Sequence, residues 1–465
     1  MLRTLFKERY EVFKVTKVIP AMLRLLTCIC LSAVAASCIL VSEPADNADV
    51  VTVFLTGNAL GVLRPCGCSG GQLGGLDRRP AVFNTVPAKR RMIVDTGFFV
   101  ESDGEQDLIK FDIMTQSLGQ LDYDVVNLTK EDITIAENLG LKDIISSFFN
   151  IITSHRSTDA NLPAAFTKKI LLKDKVIAVT VATFDVETAP VERIEELFKH
   201  EGGLQTINIL ILNRCVPEII SSIKKKAFVD CLICPSESDE PALLSARNKR
   251  PLVISVGRFG RYICKLQIKP AKDKRIPKLS FSTIAVTEEL PQDSFLVSLY
   301  QDYQQLVKEA DLLKTYPRFT LPSGLEYAGS KSCKACHEYE YGKWSTKSHA
   351  HAYETLKRAG SEFDPECVLC HVVGLKYESG FVSSSGEAPW REQETTDLQD
   401  VGCEVCHGPG SEHIKSLGMA KTTGPKMDCI DCHTPENSGN YAGNEELYFQ
   451  KIIHWREPNA VVDVK

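Results

Sequence analysis

Four segments in the last third of the chain repeat one arrangement of two thiols and an imidazole. They are Cys333-Lys334-Ala335-Cys336-His337, Cys367-Val368-Leu369-Cys370-His371, Cys403-Glu404-Val405-Cys406-His407 and Cys429-Ile430-Asp431-Cys432-His433. Two side chains three residues apart share one face of a helical turn. Such a pair can bond two points on the edge of one flat macrocycle, and the His that follows is carried beneath the ring, within reach of a central metal. This is the attachment pattern of c-type haem. It makes Cys333, Cys336, Cys367, Cys370, Cys403, Cys406, Cys429 and Cys432 the covalent attachment residues, and His337, His371, His407 and His433 the proximal iron ligands. Structural zinc also draws on Cys-x-x-Cys pairs, two pairs to an ion. Zinc does not require a His directly after each pair, and here the His follows every time. Four covalently bound c-type haems are therefore expected.

The sixth position of each iron decides what it can do. A second His gives a closed electron carrier, Met raises the potential, and an open site permits chemistry. The same region holds four further His, namely His349, His351, His413 and His454, and two Met, Met419 and Met427. The count would allow every iron to be closed by two imidazoles. It does not say which His serves which haem.

The chain is 465 residues long with a formal net charge of -6 and 43% hydrophobic residues, enough for two or three domains with ordinary cores. The mild acidity points away from a nucleic-acid partner. Of 17 Cys, nine lie outside the haem motifs. The N-terminus reads as an export signal over 1–38. Arg3, Lys7, Arg9, Lys14, Lys17 and Arg24 precede an uncharged stretch over 25–41, and Ala35, Ala36 and Ser37 stand before Cys38. The order fits a lipoprotein signal with Cys38 as the lipidation candidate, an ordinary signal peptide, or an uncleaved anchor close to the shortest bilayer span. Each of the three exports the mature chain, to the periplasm or to the periplasmic side of a membrane. Covalent haem attachment outside the bacterial cytoplasm agrees with that.

The elements that must position these groups fall into two regions. Short β-branched and aliphatic runs recur over 50–55, 92–95, 124–128, 148–153, 176–182, 207–212, 229–233, 251–256 and 262–268, with a helix over 107–118. Strands alternating with helices imply a layered α/β domain, placed over 49–290. A Gly-rich loop over 58–75 follows the first strand. A connector over 291–327 contains a helix over 294–315, whose apolar Leu296, Leu299, Tyr303, Leu306 and Ala310 recur near helical spacing. The haem domain occupies 328–465, mostly α-helical or irregular. It is poor in strand character, so the porphyrins are expected to serve as its core. The motifs start 34, 36 and 26 residues apart, too irregular for a solenoid repeat.

The run Gly329-Ser330-Lys331-Ser332-Cys333, with Tyr341, Trp344, Ser348, His349 and Ala350 beyond it, resembles the opening of the tetrahaem cytochrome c-554 family. So does the run from Gly402 through His407 to Gly408-Pro409-Gly410 and His413. The resemblance covers about 328–435. It implies that His349 and His413 are distal ligands to other haems. His351, two residues from His349, and His454, beyond the matching stretch, are the further candidates. It also implies closely stacked haems, one of them without a protein sixth ligand; carried over, that would be the haem of His371.

The region 49–268 is similar to the calcineurin-like metallophosphoesterases of the 5′-nucleotidase family. The similar pieces are Leu55-Thr56-Gly57-Asn58, Gly74 to Arg79, Val94-Asp95-Thr96-Gly97, Tyr123 to Leu128 and Gly257 to Tyr262. That family works through two divalent metals held by Asp, His and Asn. Here Asn58, Leu60 and Phe98 stand at expected ligand positions, Lys130-Glu131 replace an Asn-His pair, and Asn213-Arg214 and 235–238 replace later His. The domain then reads as a docking scaffold without its metals. Cys66 and Cys68 in the Gly-rich loop, and Cys231 and Cys234 at a strand end, are expected to converge as a disulfide pair or thiolate metal site. Cys215 and Cys264 read as buried apolar thiols.

The leading expectation is an exported tetrahaem cytochrome that relays electrons between redox partner proteins. Its alternatives are a haem enzyme acting on a small nitrogen compound at one open iron, and a phosphoesterase.

Overall fold

The structure, a computed structural model, describes residues 49–67, 70–155, 162–173, 175–198, 204–226, 228–247, 249–271, 276–383, 397–435 and 437–455. The expected export signal with Cys38, and also Cys68, lie outside these residues. No helix among the described residues is long and apolar enough to cross a membrane. The chain divides into two compact units. The first comprises residues up to Arg64 together with Leu73–Leu299, and the second comprises Pro65–Gln72 and Tyr300–Lys465. The Gly-rich loop therefore belongs in part to the haem-bearing unit and not wholly to the α/β domain in which its sequence position placed it.

The first unit holds two six-stranded sheets. One runs β12 (Lys278–Ala285), β11 (Tyr262–Lys269), β1 (Val51–Thr56), β2 (Arg91–Asp95), β3 (Val125–Asn127), β4 (Asn150–Ile152). The other runs β5 (Ala165–Leu172), β6 (Lys175–Phe184), β7 (Gln205–Leu212), β8 (Cys231–Cys234), β10 (Leu252–Ser255), β9 (Ala242–Leu243). In the first sheet β1 to β4 are parallel and β11 joins β1 antiparallel, with Val53 opposite Leu266. In the second, β6, β7, β8 and β10 are parallel and the two edges are antiparallel.

The side-chain period of two explains the layers. Val51, Val53 and Leu55 of β1 and Ile207, Ile209 and Ile211 of β7 join one buried cluster shared by the two sheets. The alternate residues face outward: Phe54 packs on Phe83 with ring centres 5.3 Å apart, and Leu210 and Leu212 enter a second cluster with Ile194 and Ile223. Each fully buried aliphatic side chain of this kind contributes about 1.5–3 kcal/mol of transfer free energy. The helix Glu105–Gln120 connects β2 to β3. The helix Lys130–Leu139 connects β3 to β4, opened by a capping box between Thr129 and Asp132 and closed by left-handed Gly140.

The second unit is built of short helices, among them Ser330–Lys334, Glu338–Trp344, Ala352–Ala359, Pro365–Val368, Cys403–His407, Ser411–Lys415, Cys429–Cys432 and Glu445–Ile452. It has more hydrocarbon core than expected. Leu313, Tyr353, Leu356, Val368, Val372, Val373, Phe381 and Leu398 form a buried cluster around the second motif. Tyr303, on the helix Ser294–Ala310, donates its hydroxyl to buried Asp364 at 2.8 Å.

Candidate haem sites

Each Cys-x-x-Cys-His lies on a single helical turn. The His337 amide donates to the Cys333 carbonyl at 3.0 Å, and the His433 amide to that of Cys429 at 2.8 Å. In the second motif the turn is tighter, the His371 amide bonding to the Val368 carbonyl at 2.9 Å. These turns place both thiols on one side and start the imidazole in a fixed direction.

Three motif His face a His from outside the motifs, at nearly one distance. The ring centres of His337 and His413 are 6.1 Å apart, those of His349 and His433 6.3 Å, and those of His407 and His454 6.2 Å. Two imidazoles on opposite sides of one metal ion need a bond of about 2 Å on each side. Adding about 1.1 Å from each ligating nitrogen to its ring centre gives about 6.2 Å. The residues present thus fit an iron between each pair. Among the described residues, no imidazole stands at this separation from His371. His351, expected as a candidate distal ligand, is not opposite any motif His. It is exposed at the start of the helix Ala352–Ala359, and its charged neighbour is Asp400.

The second ring nitrogen of several of these His is fixed by an acceptor, which leaves the other free for a metal. His371 Nδ1 bonds the Ala352 carbonyl at 2.7 Å and His413 Nδ1 that of Ala420 at 2.7 Å. His454 Nδ1 bonds that of Ile452 at 3.0 Å, and His433 Nδ1 the Ser438 hydroxyl at 2.8 Å. Burial holds His349, His371, His407 and His433 below the ordinary imidazole pKa, so the neutral, ligating form is favoured. A cavity of about 300 Å³ lies between His349 and His433, lined by Cys406, Cys429, Cys432, Tyr441, Tyr448 and Phe449 among others.

The motifs also approach one another. The side chains of Cys333 and Cys403 lie close together, as do those of Cys370 and Cys432, and Cys406 lies near Cys429. Glu404, inside the third motif, ties these parts together. Its buried carboxylate accepts from the amides of Ala328 at 2.9 Å, Gly329 at 2.8 Å and Gly410 at 2.7 Å. Burial pushes this carboxyl up, and the three amides pull it back. Gly329 opens the first motif helix and Gly410 the helix of His413, so one side chain aligns the segments that carry both imidazoles of the first pair. Nothing in the motif's spacing singles out Glu404.

In the first unit, Asn58 and Asn213, at two of the expected metal positions, are held by local partners, as are the neighbouring carboxylates of Asp95 and Asp132. Asn58 donates to the Gly257 carbonyl at 2.9 Å. Buried Asp95 accepts from Thr56 at 2.7 Å and from the Gly97 amide at 2.9 Å, and buried Asp132 takes the amides of Phe98 and Phe99, each at 2.9 Å. Asn213 bonds Asp185 at 2.7 Å. This donor set does not fit a pair of divalent ions. Beneath it, fully buried Arg79 donates to the Tyr123 hydroxyl at 2.7 Å, and burial pushes that phenol up to about 12.

The expected convergence of Cys66, Cys68, Cys231 and Cys234 is corrected. Cys234 is disulfide-bonded to Cys215, and Cys231 is a buried free thiol. Positions 231 and 234 are an odd number of steps apart on one strand and so point to opposite faces. Cys231 enters the cluster between the sheets, while Cys234 faces the outer cluster that also holds Cys215. Cys215 is therefore not a buried free thiol, whereas Cys264 is. Cys66, on the part of the Gly-rich loop that belongs to the second unit, is disulfide-bonded.

The family described as "Cytochrome c554 and c-prime" matches residues 332–408. A cytochrome c-554 of Nitrosomonas europaea is 32% identical over 133 residues, which cover 23% of this chain. The chain spans about half, 53%, of the length of that curated relative. Solved structures with similarity over the N-terminal part include the calcineurin-like phosphoesterase YfkN of Bacillus subtilis (12% identity, TM-score 0.45, 55% of this chain and 97% of that one) and a 5′-nucleotidase precursor of Thermus thermophilus (12% identity, TM-score 0.39, 67% and 68%). The cytochrome c-554 resemblance read from the sequence over the C-terminal part is borne out.

Proposed function

We propose that the protein is an exported tetrahaem c-type cytochrome that relays electrons between redox partner proteins, the α/β unit serving as a docking domain without catalysis. The single observation that carries this reading is the threefold recurrence of a motif His and a non-motif His at 6.1–6.3 Å. Haem supplies one-electron transfer; the chain supplies attachment, axial ligands and a low-dielectric wall. In this reading His413, His454 and His349 are the distal ligands to the haems of His337, His407 and His433.

The order of approach supports a linear relay. Cys333 meets Cys403, Cys406 lies beside Cys429, and Cys432 meets Cys370. Electrons would pass through the first, third, fourth and second haems in that order. The end of this order at His371 favours a second reading, in which that iron is open and handles a small nitrogen compound. A lasting disulfide, Cys215–Cys234, agrees with an oxidising compartment, and membrane attachment would come through the N-terminal segment.

Paramagnetic resonance of the oxidised holoprotein tests the proposal. Three low-spin irons and one high-spin iron are expected. Four low-spin irons would remove the second reading, and a majority of high-spin irons would remove the pairing itself.

A further inference from the structure

The loop Pro65–Gln72 comes from far upstream in the sequence, yet it belongs to the haem-bearing unit. Its anchor is Gln72, 5% exposed. The Gln72 side-chain oxygen accepts from the Gly67 amide at 2.6 Å. Its nitrogen donates to the Asn437 carbonyl at 3.1 Å and lies 3.2 Å from the sulfur of disulfide-bonded Cys66. Three residues further along the same segment, Asn440 donates to the Gly70 carbonyl at 3.2 Å. Between these two clasps lies Ser438, buried, whose hydroxyl holds His433 Nδ1 at 2.8 Å.

We infer that Gln72 is a positioning residue for the fourth haem: by fixing the backbone at Asn437 it holds Ser438 against His433, so a loop inserted from the N-terminal sequence sets the potential of one iron in the relay. The inference rests on the reading of His433 as an axial ligand. The physical route is short. An imidazole whose Nδ1–H is held by an acceptor donates more electron density through its other nitrogen and stabilises the oxidised iron. Releasing that acceptor moves the midpoint to a more positive potential. The other pairs take their Nδ1 acceptors, where one is present, from backbone carbonyls in their own neighbourhoods, at Ala420 and Ile452, so they stay as they are. The inference also gives the fusion a consequence: the N-terminal sequence tunes the haem chain through this loop.

The test is a spectroelectrochemical titration of the full-length holoprotein with Gln72→Ala, Ser438→Ala and Ser438→Thr. Gln72→Ala and Ser438→Ala are expected to move the same one of four midpoints, both to more positive potential, while Ser438→Thr, which keeps the hydroxyl, restores it. Four unmoved midpoints in Ser438→Ala, or an equal displacement of all four in either Ala variant, overturns the inference. If Gln72→Ala does not mature, Gln72→Glu keeps the oxygen that Gly67 bonds but loses the donor to Asn437. A Gln72→Glu midpoint identical to the parent also overturns it. A parent protein without bound haem would instead defeat the cytochrome reading, and the two failures are distinct.

Discussion

Replacing His454 by Ala tests the least obvious of the paired imidazoles. His454 is delivered by the helix Glu445–Ile452, its Nδ1 held by the Ile452 carbonyl, and its ring centre lies 6.2 Å from that of His407. If each facing pair closes one iron of a four-haem protein, one ligand-accessible iron per chain is expected. His454→Ala opens a second, so carbon monoxide uptake by the reduced protein doubles, from about one to about two equivalents per chain. The midpoint of the affected haem also rises, because one donor imidazole is gone. The assay is an optical titration of reduced holoprotein with carbon monoxide, with haem content measured on the same sample. His351→Ala is the control: that side chain is exposed and faces no motif His, and uptake stays at about one. Unchanged uptake in His454→Ala at full haem content would refute the pairing, and doubling in His351→Ala would place the ligand at the wrong residue.

Glu404→Gln puts an amide where three backbone N–H groups now meet a carboxylate, and is expected to destabilise the second unit by about 3 kcal/mol, read from denaturant midpoints followed in the Soret band. Removing the Cys215–Cys234 bond with Cys215→Ala frees a chain separation of 19 residues and should cost the first unit about 3 kcal/mol, while the haem spectrum stays unchanged. Phosphatase assays with added manganese are expected to give no turnover, since Asn58, Leu60 and Phe98 stand where metal ligands would be needed and Asn58 is held by the Gly257 carbonyl.

The Cys-x-x-Cys-His motifs were legible in the sequence because they are local. Their spacing puts the two thiols and the imidazole on one turn without any long-range contact. Strands buried on both faces were legible for the same reason, β1 and β7 being largely apolar runs. The strands that escaped notice are edges: β5 carries Lys168 and Lys169, β12 alternates exposed and half-buried positions, and β9 has two residues. Which non-motif His faces which motif His could not be read locally. The pairing joins residues 76, 84 and 47 positions apart, from 337 to 413, 349 to 433 and 407 to 454, and depends on how short helices pack. His349 and His413 carried a family resemblance, whereas His454 carried none and only its tertiary placement opposite His407 marks it. The Cys-x-x-Cys of Cys231 and Cys234 misled because it sits on a strand, where that spacing separates the thiols instead of joining them.

The mass of the mature chain after full unfolding tests the central claim most directly. Thioether attachment predicts a single species carrying four haem macrocycles that acid and organic solvent do not extract. A chain of bare polypeptide mass, or one that gives up its haem on unfolding, would contradict it.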